Sequence, residues 1–106
     1  MNIYNYSIEE KKMIIKKKYF KKYLYLMVEE QLLDDYRQQG FEVKTQYPIS
    51  SGFRADIYAV RGEERVVVEI VDGNILESVM ERMKSSILEE GLDLKIIDIS
   101  KVELEK

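Results

Sequence analysis

Neither cysteine nor histidine occurs among the 106 residues. Without cysteine there are no disulfides and no thiolate metal sites. Without histidine there is no Ser-His or Cys-His nucleophile system, no zinc-histidine site and no near-neutral imidazole base. Any metal would have to be held by carboxylates and carbonyls, which favours magnesium or manganese. Apolar runs are short and fall far below the ~20 residues of a membrane span. Neither end has the layout of a secretory leader, so the expectation is a cytoplasmic protein with no membrane partner. There is a single proline, Pro48, and no tryptophan. What remains is 45% apolar and 35% charged, the balance of a soluble domain with room for one core. Richness in Lys and Glu without Cys also suits a hot-living source.

The net charge of −3 conceals a division along the chain. Lys11, Lys12, Lys16, Lys17, Lys18, Lys21 and Lys22 crowd into one short stretch that contains no acid. With Glu9 and Glu10 included, the first 28 residues carry +5, which leaves −8 for the rest. A basic end is joined to an acidic body. The reading is a single domain over 1–106, with a basic helical extension at 1–27 and a core at 28–99.

The five glycines fall where one periodicity gives way to another. Ser7 and Glu10 form a capping box, from which a first helix is expected to run to Gln39, with a break inside so long a segment possible. Val28, Leu32, Leu33 and Tyr36 mark its buried stripe, and Glu29 faces the same way. Three strands are expected near 41–47, 53–60 and 65–71, the last two joined by a hairpin at Arg61-Gly62-Glu63-Glu64. In the first, Phe41, Val43, Thr45 and Tyr47 should share one face. The third is apolar on both faces, as befits a central strand. A second helix opens at Asn74 with Glu77 completing another capping box, and buries Leu76, Val79, Met80, Met83 and Ile87. A last strand is expected over 94–99. The order is α-β-β-β-α-β, an α/β fold with a mixed central sheet flanked by helices.

Two acids stand where a strand should be apolar: Asp56 within Arg54-Ala55-Asp56-Ile57, and Glu69 in the valine-rich strand. An ionised carboxylate in such a place costs several kcal/mol, roughly, unless it is paired or coordinated. The hairpin makes their strands neighbours, so the two side chains can converge. With a strand carbonyl they would make a natural magnesium site. The plain alternative is an ion pair with Arg54 or Lys44 retained for geometry.

An acid on the first helix, an aspartate on the second strand and a glutamate on the third form a pattern that resembles the PD-(D/E)XK nuclease superfamily. The segments Ser51-Gly52-Phe53-Arg54-Ala55-Asp56-Ile57 and Val66-Val67-Val68-Glu69-Ile70-Val71 are similar to the core of archaeal Holliday-junction resolvases. So is the placing of Glu29, eleven residues before Gly40. The resemblance covers 28–99. It implies a restriction-endonuclease-like αβββαβ core and metal-dependent phosphodiester hydrolysis of DNA. Asp56, Glu69 and the Ile70 carbonyl would hold Mg2+ or Mn2+, with Glu29 as the third acid.

The resemblance also implies a lysine two places after the glutamate, and here that place is Val71. Arg54, Lys44 and Lys84 are the substitutes offered by neighbouring elements. The lysine-rich stretch, with Tyr19, Phe20, Tyr23 and Tyr25 interleaved, suits a nucleic-acid backbone. The alternatives are a solvated face, an oligomer seam through Ile8, Ile15, Tyr19 and Leu26, and an anionic membrane surface, against which the tyrosine-rich apolar side speaks. Two functions follow: a nuclease acting on nucleic acid, and a catalytically silent nuclease-like fold serving as a homodimeric binding or assembly module.

Overall fold

The computed structural model describes residues 12–49, 52–73, 77–103 and 105. Helix α1 spans Lys17–Gln38. Strands β1 (Glu42–Pro48), β2 (Arg54–Arg61) and β3 (Glu64–Val71) follow, then helix α2 (Glu77–Glu89), strand β4 (Asp93–Asp98) and a 3-10 turn at Ile99–Lys101. The sheet order is β1-β2-β3-β4, with the first two pairings antiparallel and β3–β4 parallel. A parallel neighbour cannot be reached by a hairpin, so α2 makes the crossover. The fold is α/β, with a four-stranded mixed sheet and two helices.

The helices bury the stripes that their spacing anticipates. In α1, Tyr36 is buried and Val28, Leu32 and Leu33 are half-buried. In α2, Met83 and Ile87 are buried, one turn apart. The first helix is shorter than expected. Residues 12–16 are not helical and Lys16 is extended, at φ −62° and ψ 138°. The run Ile14-Ile15-Lys16-Lys17-Lys18 combines β-branched residues with clustered like charge, and Met13, Ile14 and Ile15 are exposed. Nothing there offsets the cost of ordering. The Ser7 capping box and Ile8 lie outside the described residues, as do Asn74 and Leu76.

At its far end α1 stops at Gly40, whose φ of 88° is the left-handed conformation that glycine adopts without penalty. The Phe41 N–H closes the turn by donating to the Tyr36 carbonyl at 3.0 Å. Arg61, at the hairpin between β2 and β3, donates to the Gln39 carbonyl at 2.7 Å and lies 4.3 Å over the Phe41 ring. One side chain thus ties the helix end to the sheet.

The core has two halves, one on each side of the sheet. Val67 packs with Ile49, Ala55, Tyr58 and the α2 residues Met83 and Ile87. Ile57, Ala59, Val66 and Val68 pack with Tyr36 and Phe41 at the α1 side. Ile57, Ile87, Val67 and Val68 are fully enclosed, each contributing roughly 1.5–3 kcal/mol by burial.

These memberships contain an irregularity. Ala55 and Tyr58 share a cluster, which strict two-residue alternation forbids for positions three apart. On β1, Val43 packs at the α1 side whereas Tyr47 packs at the α2 side, stacked on Tyr58 with ring centroids 4.2 Å apart. The expected common face of Phe41, Val43, Thr45 and Tyr47 is therefore wrong at Tyr47, and alternation along β2 from Ala55 fails in the same way at Tyr58. The β1–β2 register runs through Thr45↔Ile57 and Tyr47↔Ala55 without a shift, so both strands slip phase together at Gln46 and Asp56. Gln46 takes φ 50°, a conformation that costs a non-glycine residue about 1 kcal/mol or more. The β2–β3 ladder runs only as far as Ile57↔Val68. Asp56 is the first residue beyond it.

Candidate functional site

The gap beyond Ile57↔Val68 leaves the backbone of β3 without its ladder partner, and the Asp56 side chain takes over. Its Oδ2 accepts the Ile70 N–H at 2.7 Å. Its Oδ1 accepts the hydroxyl of Tyr25 on α1 and, at 3.4 Å, the amide of Gln46. Glu69 completes the arrangement: its carboxyl lies against Asp56, close enough for the Asp56 charge and polar groups to act on it. A carboxylate has about four lone-pair directions, and three donors already point at that of Asp56.

Two acids in hydrogen-bond contact cannot both ionise cheaply. Burial pushes the Glu69 carboxyl up to about 8, helped by the charge of Asp56 and the bond to it. At neutral pH Glu69 therefore tends to keep its proton. Tyr25 is shifted in the same sense: burial, the bond to Asp56 and the surrounding acids raise its hydroxyl above the ordinary range and keep it a donor. Burial and Asp56 also raise Glu29.

The structure thus brings Asp56 and Glu69 together on adjacent antiparallel strands, with Glu29 facing them from α1. It brings none of the substitute cations to them. Lys44 lies 5.8 Å over the Tyr47 ring, Lys84 stands 4.0 Å from Glu81 on the surface of α2, and Arg54 is exposed. The ion-pair alternative with Arg54 or Lys44 is not what satisfies Asp56. At Ile70 it is the N–H that meets the acid.

Of the seven lysines, Lys11 lies outside the described residues. Lys12, Lys16, Lys17, Lys18 and Lys22 are exposed. Lys21 belongs instead to the body, 3.0 Å from Asp72 at the end of β3. Lys21, Tyr25 and Glu29 follow one another at four-residue spacing, so they line the sheet-facing side of the helix. That spacing is the signal that could have found Tyr25. Gln46 carried no such signal, because the phase slip that turns it is not written in any alternation.

The donor set does not fit a magnesium ion. Among the described residues no group of three or more acids is arranged to hold a metal. Burial holds the Glu69 carboxyl up at about 8, and the oxygens of Asp56 already accept from Tyr25, Gln46 and Ile70. A hard divalent cation needs ionised oxygens with free lone pairs. Among the described residues no helix is long and apolar enough to cross a membrane. No family model, no curated protein and no solved structure matches this chain.

Proposed function

We propose that this chain is a catalytically silent, restriction-endonuclease-like module that binds nucleic acid through its lysine-rich helix. The observation that carries the silent reading is the engagement of Asp56 by three donors, the Tyr25 hydroxyl, the Gln46 amide and the Ile70 N–H. A site of this kind is a junction. It fastens α1 to the point where β2 and β3 part, and it supplies neither a water-activating base nor a charged donor at Val71. The nucleic-acid half of the reading is supported by the exposed lysines at the start of α1, Lys17, Lys18 and Lys22. A second reading, metal-dependent hydrolysis of DNA with Mg2+ or Mn2+, is favoured by one observation: Asp56 and Glu69 meet on adjacent strands and Glu29 faces them from α1.

The nucleic-acid reading has a direct test in salt dependence. Each phosphate neutralised by a lysine contributes about 0.9 to the slope of log K against log salt. Replacing Lys17, Lys18 and Lys22 by glutamine should therefore flatten the slope by roughly 2–3 while leaving the fold intact. The readout is fluorescence anisotropy on duplex and single-stranded DNA over a salt series. An unaltered slope, or no binding by the wild type at low salt, removes nucleic acid from the account.

A further inference from the structure

The side of α1 that faces away from the sheet is unlike an ordinary solvated surface. Tyr19, Phe20, Tyr23, Leu26 and Met27 are 56%, 52%, 62%, 54% and 36% exposed. These five large apolar side chains lie within nine consecutive residues. At 3.6 residues per turn, Tyr23 points opposite to the sheet-facing positions Tyr25, Leu32 and Tyr36. Along this outer stripe, Lys16 precedes the apolar band, and Glu30 and Asp34 follow it.

The order of the stripe is self-complementary in one direction only. If a second copy of α1 lies antiparallel with its Tyr23 against this Tyr23, residues equally far on either side of that point meet. Tyr19 then falls on the partner copy's position 27, a methionine, and Phe20 on position 26, a leucine. Lys16 falls on position 30, a glutamate, because both stand seven residues from Tyr23. A parallel pairing would set lysine on lysine and glutamate on glutamate. A nucleic acid or an anionic membrane laid along this stripe would be repelled by Glu30 and Asp34, and Lys17, Lys18 and Lys22 stand outside it, about 100° or more around the helix from Tyr23. We infer that the outer face of α1 is a homodimer interface, formed by antiparallel, two-fold pairing with a second copy of this helix.

The inference rests on the helix alone and is independent of the nuclease-like reading. Each exposed side chain retains on the order of 100 Å² of apolar surface, so the pair covers roughly 1,000 Å² over both copies. That is the lower end of specific interfaces, and it implies a dissociation constant in the micromolar range, roughly. The bodies of the two copies lie on opposite sides of the paired helices, so their sheets do not collide.

Sedimentation equilibrium of the full chain tests the pairing. The wild type should be dimeric at about 100 µM and dissociate as salt rises. Tyr23→Glu places two acids on the two-fold axis and should weaken association about 100-fold. Because Tyr23 is exposed, the variant should keep its far-UV spectrum. Lys16→Glu and Glu30→Lys should each weaken it roughly tenfold, and the two together in one chain should restore it. A wild type that stays monomeric at about 200 µM overturns the inference. So does a charge swap that fails to rescue the single variants. Loss of DNA or anionic-vesicle binding by Tyr23→Glu from an otherwise monomeric protein would assign the stripe to that partner and also overturn it.

Discussion

The wild-type protein should leave duplex and branched DNA uncut in magnesium or manganese, and Val71→Lys should cut. Val71 is half-buried at the end of β3, two residues after Glu69. An ammonium introduced there would do two things. It would favour the ionised form of Glu69, drawing its carboxyl down from about 8 and leaving two carboxylates. It would also supply the charged donor whose place in the pattern is empty. Positioning and acid–base groups are typically worth about 10²–10⁴ in rate, and a gain of that order over the wild type is the expected result. Val71→Lys combined with Asp56→Asn should lose it again. Vigorous cleavage by the wild type would contradict the silent reading. Failure of Val71→Lys to cut, in a protein that remains folded, would leave the acid pair structural and detach it from the nuclease pattern.

The second large effect is on stability and depends on pH. A carboxyl raised from 4.5 in the unfolded chain to about 8 in the fold keeps its proton longer when folded. Between those values the native state binds more protons than the unfolded state, so stability falls as pH rises through the window. The full shift would be worth close to 5 kcal/mol, and solvent screening of this half-buried group reduces it to roughly 2–3 kcal/mol. Glu69→Gln mimics the protonated acid, because its amide can donate to Asp56 as the carboxyl does. It should be neutral at pH 5 and stabilise the protein by about 2–3 kcal/mol at pH 8.5, a rise of roughly 10 °C or more in Tm. Urea unfolding at the two pH values measures the difference. Equal effects at both would show that Glu69 ionises normally in the fold.

Most of the fold was legible because it follows from period and punctuation. The β-branched run Val66-Val67-Val68 became an interior strand, Gly62 a hairpin turn, and Met83 with Ile87 the buried side of a helix. Asp56 and Glu69 announced themselves as charges in apolar strands, and their convergence follows from the hairpin alone. Two things did not follow. The break at Lys16 depends on the absence of packing, which a capping box upstream cannot report. The joint slip at Gln46 and Asp56 preserves the register while reversing the faces, so alternation misplaces Tyr47 and Tyr58. The slip also decides what Asp56 meets. Sequence reasoning set the two acids on neighbouring strands and filled the space between them with a cation, where the structure has a tyrosine hydroxyl.

The central proposal is that the Asp56–Glu69 pair serves as a structural junction, with Glu69 keeping its proton, rather than as a metal site. Carbon-13 NMR of the side-chain carboxyl of Glu69, titrated from pH 4 to pH 10 with and without 10 mM MgCl2 (values of roughly the right range for a carboxyl shifted this far), addresses it most directly. The account predicts a single transition near 8, unmoved by magnesium at neutral pH and lowered when Asp56 is replaced by asparagine. A transition at the ordinary carboxylate value, or magnesium displacing the proton at pH 7, would contradict it.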